Sequence, residues 1–153
     1  MSDGIDWINI YSKGETKLGR DLSNFAALSV ETLDGSFASL EGYWYWLSVP
    51  PSLAARDALR YQTGHEAKFL GQSLRRGSRE VHYTIDPLFK LKIVHAMVGK
   101  LILHPALFAA LKDSSLPLRH YYVYGGVEVE PKSGQWIVPI WEMLRALIKS
   151  ESS

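Results

Sequence analysis

Between Pro87 and Pro105, the residues Leu88, Leu91, Val94, Met97, Val98 and Leu101 recur at three- and four-residue spacing. That period is helical. Asp86-Pro87 supplies a start signal, with Asp as the cap and Pro at a first-turn position that needs no N–H. A helix is therefore predicted from Leu88 to about Leu103, with a shorter one, opened by Pro105, over Ala106 to Lys112.

The remaining segments follow from turn chemistry and period. Ile5 to Tyr11 alternates apolar and polar and reads as a strand, while Lys13 to Asp21, rich in charge and carrying Gly14 and Gly19, reads as a loop. Ala27 to Thr32 and Phe37 to Leu40 flank the turn signal Leu33-Asp34-Gly35-Ser36 and predict a hairpin. Ser39 stands as the cap of a helix over Leu40 to Leu47, which Pro50-Pro51 ends. Ser52 is the expected cap of a helix over Leu53 to Tyr61, Gly64 a break, and His65 to Leu74 a third helical piece before a turn at Gly77-Ser78. Arg119 to Tyr124 reads as an aromatic strand, Gly125-Gly126 as flexible backbone, Val127 to Glu130 as alternating, and Pro131 to Gly134 as a turn. An amphipathic helix over Ile140 to Lys149 closes the chain, with Trp141, Leu144, Leu147 and Ile148 on one stripe; it packs on the core or forms a dimer face. Strands, several helices, short strands and a final helix make an α+β order, predominantly helical with a small antiparallel sheet.

At 153 residues, the chain fits one domain, 1–153, with a core of about 5–149. The absence of cysteine excludes disulfides, thiolate nucleophiles and Cys-based zinc sites. The five His (65, 82, 95, 104, 120) show no HExxH spacing, and there is no GxGxxG, GxxxxGK[ST] or GxSxG segment, so no metal and no cofactor is expected. The net charge of +1 gives no global drive toward nucleic acid. Arg75, Arg76 and Arg79 form one basic cluster, read as a solvated helix end or as a phosphate contact. Lys68 and Gln72, one turn apart, could likewise reach phosphate or simply face water. Acidic first residues without an apolar stretch, and no run near the roughly 20 residues of a membrane span, point to a cytoplasmic protein with no membrane partner.

The chemistry-bearing constellation is Ser23-Asn24-Phe25 and, downstream, Glu41 followed by Gly42-Tyr43-Trp44-Tyr45-Trp46. In a helix, Glu41, Trp44 and Tyr45 share a face. A carboxylate beside rings is partly desolvated, which raises its pKa and suits general acid–base work. The alternative is a first-turn Glu favoured by the helix dipole over core aromatics.

The run Asp21-Leu22-Ser23-Asn24-Phe25-Ala26-Ala27, the turn Leu33-Asp34-Gly35 and the segment Glu41-Gly42-Tyr43-Trp44-Tyr45 together resemble the N-terminal signature of the NADAR (YbiA-like) family. Further segments resemble that family as well: Ala67 to Gly71, Phe89 to Leu107 with Lys100 and His104-Pro105, Tyr124-Gly125-Gly126, and Glu142 to Arg145. The resemblance spans residues 8–148 and implies a YbiA-like fold and an N-glycosidase acting on ADP-ribosyl or phosphoribosyl-amine compounds. It implies that Glu41 is the catalytic carboxylate and that Asn24 and Phe25 shape the ribose and base pocket, with Ser23 beside them. Tyr43 and Trp44 would form the pocket wall, Arg20 or Lys90 would meet phosphate, and Tyr124 and Gly125 would lie at the binding turn. The implied partner is a small-molecule nucleotide or ribosyl-amine, or an ADP-ribosylated nucleic acid. The chain departs from the family pattern at Gly42, where His usually stands, and at His120 to Val123, where the acidic residue expected before the glycine turn is missing. Glu128 or Glu130 could substitute. A glycosidase, a non-catalytic nucleotide binder (a sensor or sponge), and an interaction module with core aromatics are the readings left open.

Overall fold

The computed structural model describes residues 1–76 and 86–151, with the backbone only at Arg76. The expectations for Gly77-Ser78, Arg79, His82 and the Arg76 side chain lie outside the described residues. In chain order the elements are β1 (Ile8–Asn9), α1 (Lys17–Leu22), β2 (Val30–Thr32), β3 (Gly35–Phe37), α2 (Leu40–Trp46), a 3-10 helix (Ala54–Tyr61), and α3 (Gly64–Arg76). There follow α4 (Phe89–Leu103), α5 (Pro105–Asp113), β4 (Leu118–Arg119), β5 (Tyr122–Tyr124), β6 (Val127–Val129), a 3-10 turn (Lys132–Gly134) and α6 (Ile137–Glu151). The architecture is α+β and mostly helical, with the expected β2–β3 hairpin, a second antiparallel hairpin of β5 with β6, and a parallel pair, β1 with β4. The chain forms two compact units, one of Met1–Ser23 with Pro105–Ser153, the other of Asn24–His104.

The Asn24–His104 unit is built on the β2–β3 hairpin and α4. Gly99 lets α4 close on β2, since a Cβ there would lie 2.5 Å from the Glu31 carbonyl oxygen. The hairpin forms as predicted but with a tighter turn: Thr32 pairs with Gly35, so only Leu33 and Asp34 bridge the strands, and Gly35 takes a positive φ of 103°. Ser39 caps α2 as expected, its hydroxyl accepting the Gly42 N–H at 3.1 Å and donating to the Gln62 carbonyl at 2.9 Å. Leu59, Ala67, Ile93, Ala96 and Met97 are buried around these elements. The Leu53–Tyr61 segment is a 3-10 helix with Leu53, not Ser52, at its cap and no capping hydrogen bond. Gly64, at φ 54°, marks the expected break between the 3-10 helix and α3, of which it is the first residue. Asp86 acts just before α4 begins: its carboxylate accepts the Leu88 N–H at 2.9 Å, and Leu88 takes the cap position.

The other unit joins the chain's two ends. Ile8 pairs with Leu118 and Asn9 with Arg119. The buried Asn9 side chain then bonds both backbone groups of Tyr121, accepting its N–H and donating to its carbonyl, each at 3.0 Å. The predicted loop over Lys13 to Asp21 is instead largely helical: Thr16 caps α1 by accepting the Gly19 N–H, and Leu18 and Leu22, one turn apart, are buried. The charges that suggested a loop lie on the opposite surface. The single aromatic strand over Arg119 to Tyr124 is divided, β4 pairing with β1 and β5 with β6. Gly125 and Gly126 form the two-residue hairpin turn, at φ 54° and 79°. The last helix starts at Ile137, three residues early, because Pro139 sits in its first turn, where no N–H is required. Its Trp141 and Leu144 are buried as the stripe predicts, but Leu147 is 53% exposed. Among the described residues no single helix is long and apolar enough to cross a membrane.

Candidate functional site

Glu41 lies in the first turn of α2, and its backbone N–H donates to the Asn24 carbonyl at 3.0 Å. This bond ties the Asn24-Phe25 segment to the start of the helix. The Glu41 side chain is only 9% exposed. Burial pushes its carboxyl from 4.5 up to about 7, against the opposing charge of Lys68 on α3. The Lys68 ammonium acts on it through space, without a direct ion pair among the described residues.

Two glycines set how closely this face packs. A Cβ on Gly42 would meet the Leu59 carbonyl oxygen at 2.4 Å, and one on Gly71 would meet the Tyr45 ring at 2.1 Å. Tyr45 therefore lies on bare α3 backbone, one helical turn past Glu41. Its phenol is raised by burial and then by the Glu41 charge; the Arg75 charge and a hydrogen bond from Gln72 oppose this. The Arg75 guanidinium stands 5.8 Å from the Tyr45 ring centre. Lys68, Gln72 and Arg75, at i, i+4 and i+7 of α3, thus gather with Glu41 and Tyr45. Beside them run three rings: Phe25 edge-on to His65 at 5.0 Å, and His65 stacked on Phe69 at 5.7 Å.

The predicted site residues divide. Glu41 and Asn24 are joined by their backbone bond, with Phe25 next in the chain. Trp44 is half-buried, with its ring edge-on to Phe89 at 4.9 Å. Tyr43 is not a pocket wall: it is wholly buried, packed on Phe37 and Trp46, and its hydroxyl donates to Asp34 at 2.7 Å. Two residues along a helix is about 200° of rotation, so Tyr43 faces away from Glu41. Burial, then the Asp34 bond, drives its phenol well above the ordinary range. Lys90 is exposed in the first turn of α4. Arg20, Ser23, Tyr124 and Gly125 belong to the other unit. There Arg20 donates to the Gly14 and Glu15 carbonyls at 2.8 and 3.1 Å, and Ser23 is buried as the α1 C-cap. Tyr124 and Gly125 sit at an exposed hairpin tip. Glu128 and Glu130 both engage Arg119, at 3.4 and 3.1 Å.

Lys68, Gln72, Arg75, His65, Phe69 and Tyr45 complete the arrangement. Gly71 within a helical period was their signal, since an internal glycine marks close approach. A cleft of about 220 Å³ beside Arg56 and Asp86, and one of about 270 Å³ beside Asn9 and Tyr11, do not include Glu41. Among the described residues no three His, Asp or Glu side chains gather as metal ligands. A buried carboxylate titrating near neutrality, with a cation and flat rings at hand, can move a proton or steady a positive charge on a sugar carbon.

No protein-family model and no curated protein matches the chain. Among solved structures it is similar to the NMR structure of the E. coli protein YbiA, at TM-score 0.69 and 20% identity, over 99% of this chain and 89% of that one. At that TM-score and over essentially the whole length, the chain has a YbiA-like fold.

Proposed function

We propose that this protein is an N-glycosidase that hydrolyses the ribose–nitrogen bond of an ADP-ribosyl or phosphoribosyl-amine compound. The observation that carries this reading is Glu41: a buried carboxylate, raised to about 7, beside Lys68 and the Asn24-Phe25 segment. Cleavage of such a bond passes through an oxocarbenium-like state. Ionised Glu41 takes a proton from the attacking water or stabilises the cation; Asn24 bonds the ribose hydroxyls; the departing nitrogen takes the bonding pair and a proton. The ligand is a small nucleotide or ribosyl-amine, free or carried on a nucleic acid, encountered in the cytoplasm.

A second reading, a nucleotide binder without turnover, is favoured by one observation: Glu128 and Glu130, the carboxylates nearest in sequence to the glycine turn, are both engaged by Arg119. Incubation of the protein with ADP-ribosylated guanosine and with phosphoribosyl-amines, followed by mass spectrometry, tests both. Release of base or amine that falls at least a hundredfold in Glu41→Gln is the expected result. Intact ligand retained on the protein would establish the binder, and full activity in Glu41→Gln would remove Glu41 from the mechanism.

A further inference from the structure

We propose that the paired rings of His65 and Phe69, with Lys68 beside them, form a second subsite on α3: a platform that stacks a flat heteroaromatic ring joined through an anionic link to the ribosyl group at Glu41. It rests on the reading of Glu41 as the ribosyl site. Phe69 is 62% exposed, although Ala67 and Gly71 on the same helix are buried. Exposing a phenyl ring wastes the burial it could make. The ring is nevertheless held in order, because His65, one turn earlier, lies 5.7 Å away with its plane only 24° from parallel. Phe25 meets His65 edge-on, at 77°, and fixes the imidazole orientation. Phe25 in turn follows Asn24, whose carbonyl receives the Glu41 N–H. The row of rings therefore starts one residue along the chain from the backbone bond that holds the first turn of α2.

The cation has a defined place in this arrangement. Around α3, Lys68 lies roughly 60° from His65 on the side away from Phe69, with Gln72 between them. Lys68 is also the side chain whose charge reaches Glu41. The order around the helix is thus rings, amide, cation, with the carboxylate facing the cation. A ligand that matches it presents a base, a phosphate link and a ribosyl group in that order. A bare ribosyl phosphate would leave the rings uncovered.

Calorimetric titration of the full chain with ADP-ribose and with ribose 5-phosphate tests the platform. Phe69→Ala is expected to weaken ADP-ribose binding about tenfold, the scale of one base–aromatic stack, and to leave ribose 5-phosphate unchanged. Phe69→Trp should retain ADP-ribose affinity, and Lys68→Ala should weaken both ligands. Equal ADP-ribose affinity in Phe69→Ala and the parent, an equal loss for both ligands, or no ADP-ribose binding at all would overturn the platform. Turnover separates the two proposals. Phe69-dependent binding without cleavage keeps the platform and removes the glycosidase; Glu41-dependent cleavage with no effect of Phe69→Ala does the reverse.

Discussion

Glu41 is held where ionisation is costly, and this has consequences for both stability and rate. Its carboxyl ionises near 4.5 in the unfolded chain and near 7 in the folded one. Between those values the folded state keeps a proton that the unfolded state has lost, so this group lowers stability as pH rises through the window. Above pH 7 the cost levels off at about 3 kcal/mol. Glu41→Gln should therefore melt a few degrees higher than the parent at pH 8, with the difference shrinking toward pH 4.5; scanning calorimetry at both values checks it. Activity carries the opposite sign. If ionised Glu41 is the working form, kcat/KM rises with pH through about 7. Removing the Lys68 charge takes away the force that holds the carboxyl down, so Lys68→Ala should move that midpoint higher, read from the pH profile of each variant. Glu41 was legible as a candidate because Ser23-Asn24-Phe25 and the aromatic helix stand out in sequence. Tyr43 was misplaced because proximity in sequence says nothing about facing until the helical rotation is counted.

At the scale of elements, the site depends on two helix contacts without side chains. At Gly42 the neighbour is the Leu59 carbonyl, a backbone atom that cannot rotate aside, so even Ala must push α2 off the 3-10 helix. Gly42→Ala should cost about 1–3 kcal/mol, and Gly42→His, which would supply the residue the NADAR pattern carries there, should cost more. Gly71→Ala displaces the Tyr45 ring and with it the face that meets Glu41. It should lower ligand affinity as well as melting temperature, measurable by titration and thermal denaturation. Caps and turns were legible at this scale because their signals are local: Ser39 before α2 and Leu33-Asp34-Gly35 in the first hairpin; Gly125-Gly126 reads only as flexible backbone until β5 is seen paired with β6. The helical nature of Lys17–Leu22 was hidden because Lys13 to Asp21 carries five charged residues, Lys13, Glu15, Lys17, Arg20 and Asp21, and only the buried pair Leu18 and Leu22 shows which side faces inward.

Across the whole molecule, the unit that contains both chain ends rests on the pairing of Ile8 with Leu118 and Asn9 with Arg119, residues from opposite ends of the chain. Asn9 completes it by standing in for a strand backbone against Tyr121. Asn9→Ala would leave the Tyr121 N–H and carbonyl without that partner in a buried place, at about 2–3 kcal/mol. A drop in melting temperature of several degrees is expected, while Asn9→Asp, which keeps an acceptor but loses the donor, should recover only part of it. The sequence by itself determined the elements whose information is contiguous: the long helix ahead of His104-Pro105, the Leu33-Asp34-Gly35 hairpin, the α2 cap and the α+β order, because helical period and turn chemistry are properties of neighbouring residues. Only the tertiary structure decided that β1 pairs in parallel with β4, that Tyr43 belongs to the core, and that Lys68, Gln72 and the His65–Phe69 rings gather near Glu41. Those choices depend on which surfaces exclude water together, and the raised carboxyl of Glu41 exists only once they have done so.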